Sequence, residues 1–585
     1  MHKSRLFGRS HWINGVVMWF RDVFEMIEPH ALKEDSKATS TMRKCKVLAR
    51  IIKARRSPSW PAPPTPDLPP RNVADKLVDG YLSTMETVLR ILHIPSFRRD
   101  YEALWTPGTK PDPAFLVQLK LVMAIGAVLY DNTFSLRPSA MQWIYEGHTW
   151  ISGPEFKRKL TVQSLQTQLL LVLARDLVGV DEGSLWISIG SILRAAMYMG
   201  LHRDPACLPK RTVFAAEMRR RLWNTILELA LLHGMSSGGP ILLSLEDFDT
   251  APPGNYDDDQ LTGENPSPMP GNYFTQSSVA IALRETIPIR LKILRFLNDL
   301  SSHVTYEEAL RLDAQMRSSY KILRASLQKQ DSKKGVPPPQ FAIRIADLFM
   351  NRFLLSLHVL FFSPLLNSMT YAFSRKVAIE TSLKIWHSLV QPSPTSDGTS
   401  DSWDLGDDLT RLVTSGSGFF RISVNLVSML IMAELKLQLQ EDDGLTPVPL
   451  RQDLLSVMDA AKIWTIKAIE RGETNIKGYI FTILVSTQIE CLIDGVEREE
   501  MVLRLVSTAE AGEERCLKIL EEQVAEGQPE GIVDDGMSHM ALSTPADFMG
   551  DWDFSDFSML DTQFSLGSME PLAWAFGDAP QGMSS

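Results

Sequence analysis

The stretch "NVADKLVDGYLSTMETVLRILH" (Asn72–His93) decides the fold class. Its apolar residues Val73, Leu77, Val78, Tyr81, Met85, Val88, Leu89 and Leu92 recur at three- and four-residue intervals. That spacing draws one apolar stripe along a helix, the mark of a helix facing a core. Similar stripes run over Phe115–Tyr130, Leu160–Val178, Leu185–Met199 and Val213–His233. Past the irregular Pro/Asp/Gly-rich segment 250–272 they return near 276–299, 306–328, 340–362, 371–390, 417–440, 451–471, 475–494 and 499–523. Segments of alternating polarity between turn signals are nearly absent. The expected fold is therefore all-α, a large array of packed helices, with a flexible basic N-terminal segment and a disordered acidic C-terminal tail.

Ahead of the first stripe, "SPSWPAPPTPDLPPR" (Ser57–Arg71) holds seven prolines, which favour an extended, semi-rigid spacer over a helix. Residues 1–56 before it carry 13 Lys/Arg against 5 Asp/Glu, so a net charge of −10 overall leaves −18 for the remainder. The divisions expected are a basic segment 1–56, a Pro-rich linker 57–71, a helical domain 72–525 and an acidic–aromatic tail 526–585. Within the helical part, "QPSPTSDGTSDSWDLGDD" (391–408) reads as a solvated loop. The four cysteines, Cys45, Cys207, Cys491 and Cys516, share no ligand-like spacing, which argues against a disulfide framework or a zinc site. No apolar run without charge or proline is long enough to span a bilayer, so no membrane partner is expected.

Two short motifs imitate enzymes. "HRD" (His202–Asp204) matches a kinase catalytic loop, but proline stands at 209, where that loop needs an Asn for its second metal. "GMSSG" (Gly234–Gly238) matches the nucleophile elbow of serine hydrolases. The elbow needs a strand running into the serine, whereas here a helical stripe runs in and Pro240 follows. Both read as helix boundaries, and a helical hydrolase using Ser236 is the remote alternative. The acidic loop 245–259 lacks the ligand spacing of an EF-hand and reads as a solvated loop. His202 and His233 have no partner ligands at helical spacing and read as structural. "RRR" (Arg219–Arg221) lies on a helix whose other face is apolar; a solvated or paired face is expected, with Glu217 placed four residues before Arg221 for an ion pair.

Two segments suit partners. "RKCKVLARIIKARR" (43–56) carries Arg43, Lys44, Lys46, Arg50, Lys53, Arg55 and Arg56 and no acid. It fits a nuclear import signal or a phosphate contact, and equally a basic amphipathic helix lying on the body of the protein. In the tail, "DFMGDWDFSDFSMLDTQF" (547–564) interleaves aspartates with Phe548, Trp552, Phe554, Phe557 and Phe564. Acidic residues that hold aromatics in solvent are the composition of activation domains that recruit transcription machinery or coactivators.

The central block, "SLWISIGSILRAAMYMGLHRDP" followed by "EMRRRLWNTILELALLHGMSSGGPILLSLEDFDTAPPGNYDD", resembles the fungal-specific transcription factor domain, the regulatory middle region of binuclear zinc-cluster activators. The matching elements are Met199–Asp204, Glu217–Trp223, Ser236–Pro240 and Asp247–Asn255, with further likeness at 74–97 and 411–421. The likeness covers most of residues 70–525. Asn224 stands where a second Trp is common in that family, and Gly239 where an Arg is frequent. The six-cysteine cluster through which the family reads DNA is missing, since Cys45 is alone in the first 200 residues. The resemblance therefore implies a nuclear transcription regulator, not an enzyme, that controls a metabolic or secondary-metabolite gene cluster and carries no cofactor of its own. It reads as a shortened gene product or as a regulator that does not bind DNA itself. In the second case it is a partner or inhibitor that dimerises with an intact activator. A homodimer or heterodimer, and DNA contact directly or through a partner, both stay open.

Overall fold

The structure is a computed structural model. It describes residues 8–526 except 32–36, 109–110, 155, 157–159, 181–184, 264–265, 303, 329–337, 363–368, 391–406 and 442–449. The tail 527–585, with the five aromatics assigned to activation, lies outside the described residues, as does most of the loop 391–408.

Among the described residues the chain forms nineteen α-helices and no strand. They are α1 (Ile13–Trp19), α2 (Arg21–Ala31), α3 (Lys37–Arg56), α4 (Arg71–Ser83), α5 (Ile94–Leu104), α6 (Pro113–Tyr130), α7 (Arg137–Ser152), α8 (Val162–Val178), α9 (Leu185–Tyr198) and α10 (Val213–Ser237). After the long connection to residue 277 come α11 (Ser278–Asn298), α12 (Tyr306–Gln328), α13 (Gln340–Val359), α14 (Ala372–Leu389), α15 (Asp408–Ser415), α16 (Gly418–Gln440), α17 (Gln452–Glu470), α18 (Lys477–Ile493) and α19 (Arg498–Glu526).

From α6 onward most helices pack on the one that follows, so the array grows largely by neighbours in sequence. Two members, α6 and α16, are long and apolar enough to match a membrane span, yet 83% and 89% of their apolar windows are buried inside the protein. They are core helices, covered on every side by neighbours. Gly126 on α6 lets α4 come close: an added Cβ would stand 2.0 Å from the Leu77 carbonyl oxygen of α4.

The N-terminal helices close the array by packing on its far end. Helix α1 meets α16, α2 meets α18 and α19, and α3 runs beside α19. Trp19 Nε1 donates to the Phe362 carbonyl at 3.0 Å, Gln488 donates to Asp22 at 2.7 Å, and the Phe24 and Phe481 rings stack at 5.2 Å. The basic stretch 43–56 is thus part of a docked helix, the second of the two arrangements its sequence allowed and less loose than expected. Met42, Cys45 and Ile52 face α19, while Arg43, Lys44, Val47 and Arg50 face solvent.

The proline-rich residues 57–70 have no regular structure and form a strap across α6 and α7. Ala62 donates to Thr149 Oγ1 at 3.0 Å, and Lys120 Nζ reaches the Thr65 carbonyl at 2.7 Å and Glu146 at 2.6 Å. A lysine and a glutamate buried inside the bundle find each other and the strap, which satisfies both charges at once.

The stripe at 72–93 does not continue as one helix. It breaks after Ser83, where Thr84 takes φ −117° and ψ −93°, and continues as a 3₁₀ turn, Met85–Thr87. The cause is polar: buried Glu86 accepts from the Tyr81 hydroxyl at 2.6 Å and from the Leu92 amide at 3.0 Å, which folds 88–93 back over the turn.

Candidate functional site

The block singled out by sequence folds into one contiguous network around the start of α10. Thr212 begins that helix by accepting the Ala215 amide on its side chain. The Arg219–Arg221 run follows about two turns later. Successive residues on a helix point about 100° apart, and each arginine has its own task.

Arg219 donates to the Met199 carbonyl at 2.7 Å, satisfying an acceptor that the end of α9 leaves without an intrahelical partner. Arg220 forks onto Asp204, with contacts of 3.0 and 2.8 Å, and also reaches Glu217 at 2.7 Å. Arg221 is fully buried and pairs with Asp258, which also receives Arg90 from the turn after α4. The ion pair expected between Glu217 and Arg221 is not the one formed. Glu217 turns instead to Arg220 and to the Gly254 amide at 2.7 Å, because the 247–258 connection covers that side of the helix. The arginine face is accordingly paired and largely covered rather than solvated.

The acidic connection is likewise no solvated loop at its far end. Asp258 is 1% exposed and accepts from the Ile94 amide at 2.8 Å, while its own carbonyl lies 3.0 Å from the His93 ring. Burial alone would raise its pKa, but the two guanidinium groups outweigh it and hold the carboxyl at about 2. Asp204 is held at about 2 as well, chiefly by Arg220.

The "HRD" loop is laced to the same connection. The Asp249 amide donates to the His202 carbonyl at 3.0 Å, the Asp204 amide to Asp249 at 2.7 Å, and the Thr250 hydroxyl to the Leu201 carbonyl at 2.6 Å. Asp204 therefore spends its carboxylate on Arg220 and on the Ala206 and Ala251 amides. His202 packs beside Trp223, with ring centroids 6.4 Å apart.

Ser236 lies in the last turn of α10, which runs through the motif to Ser237 and ends at Gly238 in the left-handed region, φ 70°. Gly238 is also where the N-terminal segment docks: a Cβ there would meet the Gly8 nitrogen at 2.6 Å. Ser10 continues this contact, donating to the Met235 carbonyl at 2.9 Å. His233 is buried, and burial with nearby Arg175 pushes it down to about 4, so it is neutral at physiological pH.

Among the described residues no group of three or more His, Cys, Asp or Glu is placed to hold a metal ion. Sequence reasoning missed Arg90, Glu86 and Asp258 as one cluster. Only the fold joins positions more than 160 residues apart, and neither "LRI" nor "DDD" carries a signal of its own.

Residues 78–356, which contain this whole network, match the model of the fungal specific transcription factor domain. The chain is 30% identical to the transcription factor opdR of Penicillium oxalicum, over 94% of its own length and 72% of that protein's. The chain belongs to the fungal-specific transcription factor family. It is also 30% identical to the transcription factor lepE of Aspergillus flavus, covering 88% of this chain and 63% of the relative. Identity to the aspyridones cluster regulator apdR of Emericella nidulans is 28%, over 76% of this chain and 61% of that one. No solved structure matches the chain.

Within the family domain, the two departures from its usual spelling sit at helix contacts. Asn224 reaches toward the Ala280 carbonyl of α11 at 3.4 Å. Gly239 lies against the Trp186 ring, 2.7 Å from where a Cβ would stand, so a long side chain there would displace that ring.

Proposed function

We propose that this family member is a nuclear regulator that controls transcription of a secondary-metabolite gene cluster. The observation that carries the reading is the similarity to a protein named as a transcription factor over 94% of the chain and to one named as a cluster regulator over 76% of it. The network around α10 supports a scaffold role for the central block: the two charged groups of the first motif, Arg203 and Asp204, pair with Asp249 and Arg220, and Ser236 of the second lies inside the last turn of a helix. On this reading the helical array is a rigid platform and does no chemistry at Ser236 or His202. The aromatics Phe548, Trp552, Phe554, Phe557 and Phe564 recruit the transcription machinery or a coactivator. DNA is reached directly or through a related factor as a dimer partner, and no cofactor is needed by the residues described.

Chromatin immunoprecipitation of the tagged full-length protein tests the reading. The expected result is enrichment at promoters of one contiguous set of biosynthetic genes. Uniform recovery across the genome would overturn it. Purified protein should also lack esterase activity that Ser236→Ala abolishes.

A further inference from the structure

The outward face of α3 carries Arg43, Lys44 and Arg50 in solvent with Val47 between them, 52% exposed, and Lys46 at its edge. None of these four cations takes part in an ion pair or hydrogen bond with another described residue. By contrast Lys37 pairs with Glu514 at 2.6 Å, Arg55 donates to the Val524 carbonyl at 2.7 Å and Arg56 to the Gly472 carbonyl at 2.6 Å. Those contacts place the C-terminal turns of α3 and α19 side by side, so the chain leaves Glu526 next to the basic end of α3.

What leaves there is the complement of that face. Residues 527–585 contain ten Asp/Glu and no Lys or Arg, and 547–564 set aspartates among aromatics as α3 sets cations around Val47. A chain of about 20 residues has a root-mean-square reach of about 25 Å, close to the length of about 30 Å of a 20-residue helix. The aspartates can therefore cover α3 without strain, at an effective concentration on the order of millimolar.

We propose that the exposed basic face of α3 is the docking surface of the chain's own segment 547–564. The segment and nucleic-acid phosphates then compete for the same cations. The inference is independent of the transcriptional reading, because its test reads contact and not gene expression.

The test is zero-length carbodiimide cross-linking of the dilute full-length chain, mapped by mass spectrometry. Links from Lys44 or Lys46 to Asp551, Asp553 or Asp556 are expected within one chain. The yield should fall about tenfold in 0.5 M salt, where exposed pairs are screened. Arg43→Glu with Arg50→Glu should lower it about as much, since several exposed pairs are lost together. That variant keeps both reactive lysines, and an unchanged helical melt separates lost docking from lost folding. Links absent, or unchanged in the variant, would overturn the proposal. So would links mainly between differently isotope-labelled chains, which make the occupant a second copy. If duplex DNA binding falls in the variant while no tail links form, the face belongs to phosphates and the proposal fails.

Discussion

Asp258 carries more of this structure than its place in an acidic run suggests. It neutralises two buried guanidinium groups, Arg90 and Arg221, that come from distant parts of the chain. Removing one partner of such a cluster leaves uncompensated buried charge, at a cost of about 3–5 kcal/mol. Asp258→Ala is therefore expected to lower the denaturation midpoint by far more than Asp247→Ala, an exposed neighbour in the same loop. Equal midpoints in the two variants would show that the cluster does not hold the fold. A second residue governs pH dependence. Glu513, buried where α19 faces α3, is pushed up to about 8, first by burial and then by Glu510. Its folded pKa lies above the unfolded value of about 4.3, so the native state keeps a proton that the unfolded chain has released. Stability contributed by the protonated form is present below about pH 4 and lost as pH rises toward 8. Glu513→Gln should flatten that decline in thermal melts between pH 5 and 8. A decline of unchanged slope in the variant would rule Glu513 out as its source. Residue types alone pointed to a solvated or paired face for Arg219–Arg221, and two of the three, Arg220 and Arg221, are held by acids. Residue types did not reveal which acids, because Glu217 at the right helical spacing was the wrong partner.

At the scale of elements, apolar spacing was enough for the long core helices. Helix α12 has the bounds expected, and α6, α11, α16 and α18 differ from expectation by at most two residues at either end. What escaped were helices whose stripe is short or diluted: α5, α7 and α15 have few buried apolar residues of their own and owe their helicity to packing. The break after Ser83 escaped for another reason, since the buried carboxylate of Glu86 overrides a pattern read from apolar residues alone. The proline strap was legible as extended, and its seat on Lys120 and Glu146 was not. Helix pairing yields a direct prediction at Gly126. Gly126→Val should separate α4 from α6 and cost about 1–3 kcal/mol or more, as overpacking of a filled core does. An unchanged denaturant midpoint would mean that the two helices do not meet as closely as 2.0 Å from a Cβ to the Leu77 oxygen implies.

Over the whole molecule, the array is closed by its own N-terminal helices, which lie on α16, α18 and α19 rather than apart from them. The family block at 199–258 sits inside this closed array and binds three stretches of chain together: the turn after α4, the end of α9 and the start of α10. Family membership was legible because the arginines, Asp204 and the glycine turn fall at fixed spacings, and the contacts they make explain why those spacings matter to the fold. The genes under control leave no trace in such contacts. The central claim, that the chain regulates a biosynthetic gene cluster, is tested most directly by transcript profiles of strains with and without its gene. The account predicts that transcripts of one contiguous biosynthetic cluster fall together by about tenfold or more when the gene is deleted, and recover when it is restored. Transcript levels that stay the same across every such cluster, under conditions where the protein is present, would contradict it.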